Sequence, residues 1–220
     1  MADLLTLAVL QRMWPHGDQH VAGLLEGIVA AAPETFEKHG VTTLLEVAHM
    51  MGQFSEECGA GLEMVENLNY SAEGLLRTFP THFTASMAER CAHNQRMIGD
   101  IAYGGRMGNA PPPSDDGFNF RGRGLSQTTG KGAHEPPKPL EGYAALAAAT
   151  GLPLLDNPDL VNDPAHAFEC GVCDFVKLCG CLPFAQRDDV VEVTKHLNGG
   201  LNGLPARRDW VARWKTALGI

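Results

Sequence analysis

Residues 43–76 read "TLLEVAHMMGQFSEECGAGLEMVENLNYSAEGLL". Thr43 followed three positions later by Glu46 has the spacing of a capping box, in which a hydroxyl and a carboxylate satisfy the first free N–H groups of a helix. Leu44, Val47, Ala48, Met51 and Phe54 then recur at three- and four-residue intervals, so the spacing predicts an amphipathic helix over 43–57. The glycines at 59 and 61 stop it. The "ENLNYS" that follows is too rich in Asn and Ser for a helix interior, which places Glu66 on a different element from Glu57.

Met50, Phe54 and Glu57 succeed one another at i, i+4 and i+7, so Glu57 is expected on the edge of the apolar face, whereas Glu56 lines up with His49, Gly52 and Gln53. A carboxyl beside Met and Phe has its charged form disfavoured, which makes Glu57 the better proton donor. Two carboxylates on separate elements across a groove are what glycoside hydrolysis requires, one protonating the leaving oxygen and one ionised opposite it. A Glu-rich loop in an acidic chain is also what an ordinary solvated surface looks like, so this pair alone decides little.

Working outward, apolar residues recur at helical spacing over 3–13, 19–31, 85–103, 143–150, 164–179, 188–197 and 205–217, which predicts a mainly α-helical chain. The turn-rich "APPPSDDG" at 110–117 and "GKGAHEPPKPLEG" at 130–142 read as loops over one body. With 220 residues, 44% of them hydrophobic and 20% charged, residues 1–220 are expected to form a single domain. A net charge of -9 argues against nucleic acid or an anionic membrane as partner. "LLTLAVL" is too short to span a bilayer, and Asp3 stands where a signal peptide carries basic residues, so synthesis in the cytoplasm without a signal peptide is expected.

The segments "ENLNYSAEGLLRTFPTHF", "RMGN", "FNFRGRGLSQTTG", "LLDNPDLVNDPAHA" and "HLNGGLNGLPARR" resemble, in order and spacing, glycoside hydrolase family 19, which contains plant-type chitinases and phage endolysins. The forms "ENLNYSAEGL" and "NGGLNGL" are similar to the bacterial and phage branch. The resemblance implies a lysozyme-like, α-helical, two-lobed fold with a substrate groove, and an inverting hydrolase with no cofactor, residues 1–220 forming a single catalytic domain without a separate wall-binding module. By it Glu57 is the general acid, with Glu56 in the place of a histidine and able to raise the acid's proton affinity further. Glu66 is the base and Thr129 holds the attacking water. Gln127, Asn198, Tyr70 and Arg123 fall on substrate-binding or groove positions. Arg208, with Arg207 as the fallback, matches the arginine that pairs with the base.

Peptidoglycan strands, or else chitin, are the implied partner. The chain is expected to act as a monomer that reaches the wall through a membrane pore made by another protein. One departure stands out: the insertion "KGAHEPPKPLE" interrupts the family pattern after Thr129, and Gly142-Tyr143 takes the place of an Asn-Tyr contact. The insertion is expected to cap one end of the groove.

A rival reading is metal binding, because "CGVCDFVKLCGC" offers Cys170, Cys173, Cys179 and Cys181. Against it, free Cys often serves as a small core hydrophobe. Asn198 before two glycines also reads as a helix C-cap. The remaining histidines show no ligand spacing. A third reading is a wall-binding protein that keeps the fold without the chemistry.

Overall fold

A computed structural model describes residues 4–135 and 137–220. The fold is mainly helical, and among the described residues no strand forms beyond two isolated bridges, Val65 with Arg123 and Arg123 with Thr128. The first helix is α1 (Leu7–Met13), capped by the Thr6 hydroxyl; Asp3, where the sequence starts it, lies outside the described residues. The second, α2 (Leu24–His39), begins later and runs further than the expected 19–31. Asp18 accepts the Leu25 N–H at 2.8 Å, which keeps the residues before Gly23 in turns. Beyond Pro33, buried Thr35, Phe36 and His39 still face the core, and Phe36 meets Phe168 edge to face at 5.5 Å. Packing there outweighs the one backbone bond that Pro33 cannot make.

The capping box of Thr43 and Glu46 is present at the start of α3 (Leu44–Glu57). The helix is not one-sided, however. It is buried on every face from Glu46 to Ser55, since it runs through the middle of the molecule. The reason is visible at Gly52, where a Cβ would stand 2.6 Å from Val211 Cγ2. Glycine lets α12 (Leu204–Leu218) lie directly on α3.

Between them the chain forms α4 (Ala72–Thr78), α5 (Ala85–Cys91), α6 (Gln95–Tyr103), the short α7 (Asp116–Asn119), α8 (Gly142–Thr150), α9 (Ala167–Cys173), the short α10 (Leu182–Ala185) and α11 (Val190–Asn198). The helix expected over 85–103 is therefore two. His93 takes a left-handed backbone (φ 61°), and Asn94 then caps α6 by accepting the Met97 N–H.

Three cores divide the body. The large one gathers Trp14, Ile28, Val47, Phe54, Phe168 and Trp214; a second joins Leu68, Leu75, Phe83 and Ile98 from α4 to α6; a third packs Tyr143, Leu146, Leu154, Cys170 and Cys173. The first two correspond to two lobes, and the segment carrying Glu57 and Glu66 links them. No described helix is long and apolar enough to cross a membrane.

Candidate active site

The end of α3 is fixed from within the large core. Trp14 and Trp214 both donate their indole N–H to Ser55 Oγ at 2.8 Å, and Ser55 donates to the Met51 carbonyl at 2.7 Å. A hydroxyl accepting two indoles leaves the next two residues little freedom. The chain then reverses through Gly59, Ala60 and Gly61, all left-handed. At Gly61 a Cβ would stand 2.8 Å from the Gly17 backbone, so only glycine fits.

Glu57 does not rest on Met and Phe alone, as the helix-face spacing implied. Its Oε1 is 2.7 Å from Arg207 Nη2. Arg207 is 3% exposed, donates Nη1–H to Gln53 Oε1 at 2.7 Å and Nε–H to the Asn202 carbonyl at 2.9 Å. Arg207 rather than Arg208 is thus the buried arginine, and it pairs with Glu57 instead of Glu66. Arg208 is exposed, because the face of α12 that meets α3 carries Arg207, Val211 and Trp214. Glu56 turns towards Gly203, where α12 starts and where a Cβ would come within 2.6 Å of its Oε1. A carboxylate there faces the positive end of that helix.

Glu66 is held by other means. Its N–H donates to the Gly122 carbonyl at 2.8 Å, while its Oε2 accepts the Gly122 N–H at 3.2 Å and its Oε1 accepts the Tyr103 hydroxyl at 2.5 Å. Burial, reinforced by Glu66, pushes the Tyr103 phenol far up, so Tyr103 stays a donor. The sequence reading missed Tyr103: a tyrosine closing a helix 37 positions away carries no local signal. Burial and then Glu66 also raise Tyr70, which stacks edge to face on Phe79 at 5.6 Å. Glu66, Tyr70, Gln127, Glu63 and His20 line a groove of 630 Å³.

Gly122 is the meeting point. A Cβ on it would stand 2.9 Å from Gln127 Oε1, 3.3 Å from Thr129 Oγ1 and 3.4 Å from Glu66 Cβ. The structure therefore brings Glu66, Gln127 and Thr129 together. Thr129 donates to the Gln127 carbonyl at 2.9 Å, which leaves its oxygen lone pairs as acceptors. The Gln127 amide donates to Glu63 O (2.7 Å) and Gly124 O (3.2 Å), so only its Oε1 is left to accept an acetamido N–H.

Arg123 is a correction. It is 3% exposed and cannot touch a substrate: Nη1 donates to the carbonyls of Asn119 (2.5 Å) and Arg121 (3.3 Å), and Nε stands 2.8 Å from Asp159 Oδ1 without the N–H aimed at it. It pins the loop that carries Gly122. Asn198 closes α11 before the left-handed Gly199, as the C-cap reading anticipates, and its Oδ1 is buried with no partner among the described residues. The insertion folds back on "RMGN", with Lys131 N–H on Asn109 Oδ1 (2.8 Å) and Gly132 N–H on Met107 O (2.7 Å); Pro136 lies outside the described residues. Tyr143, at the departure from the family pattern, is fully buried.

The four thiols of "CGVCDFVKLCGC" divide two and two between cores, with Cys179 packed against the large one beside Cys181. Cys170 and Cys173 pack in the third core and Cys181 in the large one, and burial pushes Cys170 and Cys181 up to about 12 and Cys173 up to about 11. The thiols divide between two cores, and among the described residues no group of three or more His, Cys, Asp or Glu has metal-holding geometry.

No family model matches the chain. A glycosyl hydrolase family 19 domain-containing protein of Haemophilus influenzae is 30% identical over 208 residues, 94% of each chain. The chain belongs to glycoside hydrolase family 19. It is a glycoside hydrolase by family, and its fold agrees: 99% of this family 19 chain superposes on 93% of chitinase C from Streptomyces griseus (TM-score 0.58, 18% identity). It superposes equally on 96% of another bacterial family 19 chitinase (TM-score 0.60, 21% identity).

Proposed function

We propose that this family 19 enzyme hydrolyses β-1,4 bonds between N-acetylated amino sugars with inversion, and that its polymer is peptidoglycan. The carrying observation is the convergence of Glu66, Gln127 and Thr129 on Gly122, which groups a carboxylate, a hydroxyl and an amide carbonyl around one backbone position, with Glu66 and Gln127 lining the groove. Glu57 protonates the glycosidic oxygen. Glu66 takes a proton from a water that Thr129 holds, and the water attacks the anomeric carbon from the opposite face. Tyr103 and the Gly122 N–H each donate to the Glu66 carboxylate and fix its orientation.

Peptidoglycan is favoured by the likeness of "ENLNYSAEGL" and "NGGLNGL" to the phage branch. The second reading is chitin, because both solved neighbours are named chitinases. The two polymers share the linkage and the acetamido group. The cellular setting that goes with the first reading is release to the wall through another protein's pore.

The test is digestion of purified peptidoglycan and of chitin oligomers by wild type and Glu57→Gln, with products reduced by borohydride and read by mass spectrometry. Reduced muramic acid ends, absent with the variant, support a muramidase; reduced glucosamine ends support a glucosaminidase. Release from chitin alone overturns the peptidoglycan reading.

A further inference from the structure

The insertion after Thr129 builds a cavity that the proposed reaction leaves unused. Paired backbone closes the base of the insertion: Glu141 N–H donates to Gly132 O at 3.1 Å, Ala144 N–H to Lys131 O at 2.9 Å and Tyr143 N–H to Gly130 O at 3.0 Å. The turn after α6 lies against it, backbone to backbone, since a Cβ on Gly108 would stand 2.7 Å from Ala133 N. The two segments line a cavity of 770 Å³. Pockets that hold small ligands run from about 300 to 1,000 Å³.

The charges lining this cavity are unevenly matched. Lys131 is already paired: its Nζ stands 3.1 Å from Asp116 Oδ2, which also accepts the Ala110 N–H at 2.9 Å. Arg106 comes from the turn and Lys138 from the insertion, and among the described residues neither has a carboxylate within ion-pair distance. The Arg106 guanidinium donates instead to the His82 ring, whose proton affinity burial, and then Arg106, hold below the ordinary histidine value. A neutral imidazole leaves the charge of Arg106 uncompensated. Glu135, on the insertion with Lys138, lines the same cavity.

Hydrogen bonds tie the cavity to the proposed base. The Tyr103 hydroxyl holds Glu66, the Tyr103 carbonyl accepts from Asn109 Nδ2 at 2.9 Å, and Asn109 Oδ1 accepts the Lys131 N–H at 2.8 Å. Lys131 follows Thr129 by two residues and Arg106 follows Tyr103 by three. The same two segments therefore build one wall of the site and the cavity beyond it.

We infer that this cavity takes the carboxylate-bearing peptide branch of peptidoglycan, with Arg106 and Lys138 as its anion contacts and Glu135 for the amine that such a branch also carries. The inference rests on peptidoglycan being the polymer. Chitin has no charged substituent, so a chain that cut chitin alone would have no use for unpaired cations there. In a chain of net charge -9, attraction of an anionic branch is necessarily local. A guanidinium offers a carboxylate a fork of N–H donors and an ammonium offers a point charge, and contacts of this kind select a charged partner over a neutral one.

Arg106→Gln, Lys138→Gln and the double variant change exposed side chains, and urea midpoints check that the fold is kept. The kcat and KM are measured on soluble peptidoglycan strands with their peptides attached, and on the same strands after an amidase has removed the peptides. The double variant is expected to raise KM about tenfold on the peptide-bearing strands and to stay within about twofold of wild type on the stripped ones. Stripping leaves a lactyl carboxylate on the sugar, so an equal rise on both strands would mean that the cations read the sugar itself, and overturns the inference. No rise on either strand overturns it too.

A binding measurement separates failure here from failure of the proposed polymer. The free tripeptide of alanine, D-glutamate and meso-diaminopimelate, titrated into isotope-labelled wild type, should shift the amides of Met107, Gly108 and Lys131 saturably by NMR, and should not do so in the double variant. Absence of a saturable shift in the wild type overturns the inference whatever the enzyme cuts. A saturable shift without cleavage of peptidoglycan supports the peptide site and sinks the proposed polymer instead.

Discussion

Glu57 and Glu66 stand nine positions apart in the chain and are held by opposite means. Glu57 ends a helix buried on all sides, two residues after a serine gripped by two tryptophans, and pairs with an arginine from the C-terminal helix. Glu66 lies outside any helix, held by two reciprocal hydrogen bonds to Gly122 and one phenol. The proposed acid end is built into the core; the proposed base end is built from loop against loop. Damage at the first should therefore cost folding as well as rate, and damage at the second should cost chiefly rate.

The largest expected effect tests the chemistry at both ends. Glu57→Gln and Glu66→Gln should each lower kcat by about 10²- to 10⁴-fold with KM little changed. Only Glu57→Gln should also lower the urea midpoint, because it takes the anionic partner from buried Arg207. Equal stability losses in the two variants would erase the contrast, and wild-type kcat in Glu66→Gln would remove the base from the loop.

Next in size is the arginine itself. Arg207→Ala leaves Glu57 and Gln53 without their partner in a nearly closed site, and breaking a buried ion pair costs about 3 to 5 kcal/mol. Arg208→Ala, one residue on and exposed, should stay within about 0.5 kcal/mol. Equal losses from the two would mean that the ion pair does not hold the acid.

These two arginines also mark where the sequence stops being legible. Thr43 and Glu46 announce α3 because a capping box is a local code, read within four residues. Glu66, Gln127 and Thr129 could be picked out because a segment pattern carries them. Arg207 and Arg208 differ by 100° round one helix, and which of them is buried depends on how α12 meets Gly52, a contact far away in the chain. The helix-face spacing around Glu57 failed for the same reason. It assumes one solvated face, and α3 has none over its middle turns. The break at His93 was illegible because a non-glycine residue supplies the left-handed backbone there.

A smaller effect isolates the base end. Tyr103→Phe keeps the packing and removes one hydrogen bond to Glu66, and a bond to a charged group is worth about 1.5 to 3 kcal/mol. The bond bears on the proposed base, so kcat should fall about tenfold, with a smaller drop in the urea midpoint than Arg207→Ala gives. A fall in stability without a fall in kcat would move Tyr103 from the site to the scaffold of the second lobe.

The smallest effect concerns the scaffold of the acid and separates the two ends by pH. His49 lies on α3, fully buried, with Nε2 2.7 Å from Asp188 Oδ1. Burial lowers its proton affinity below the ordinary value of 6.5, and Asp188 only partly opposes this. The unfolded chain therefore binds a proton at His49 at a higher pH than the folded one does. By linkage, the stability this gives is complete above pH 6.5 and is lost as pH falls below it towards the folded value. Denaturant midpoints at about pH 7.5 and pH 5.5 should show the drop in wild type, and His49→Asn, lacking the titrating ring, should flatten it. The Glu66 end carries no buried histidine in its contacts with Gly122 and Tyr103, so hydrogen exchange at Gly122 should not follow the pH dependence of the amides around His49. If both regions weaken together, the molecule opens as one unit and the two ends share one stability; if only α3 weakens, the acid and the base rest on separately stable parts of the fold.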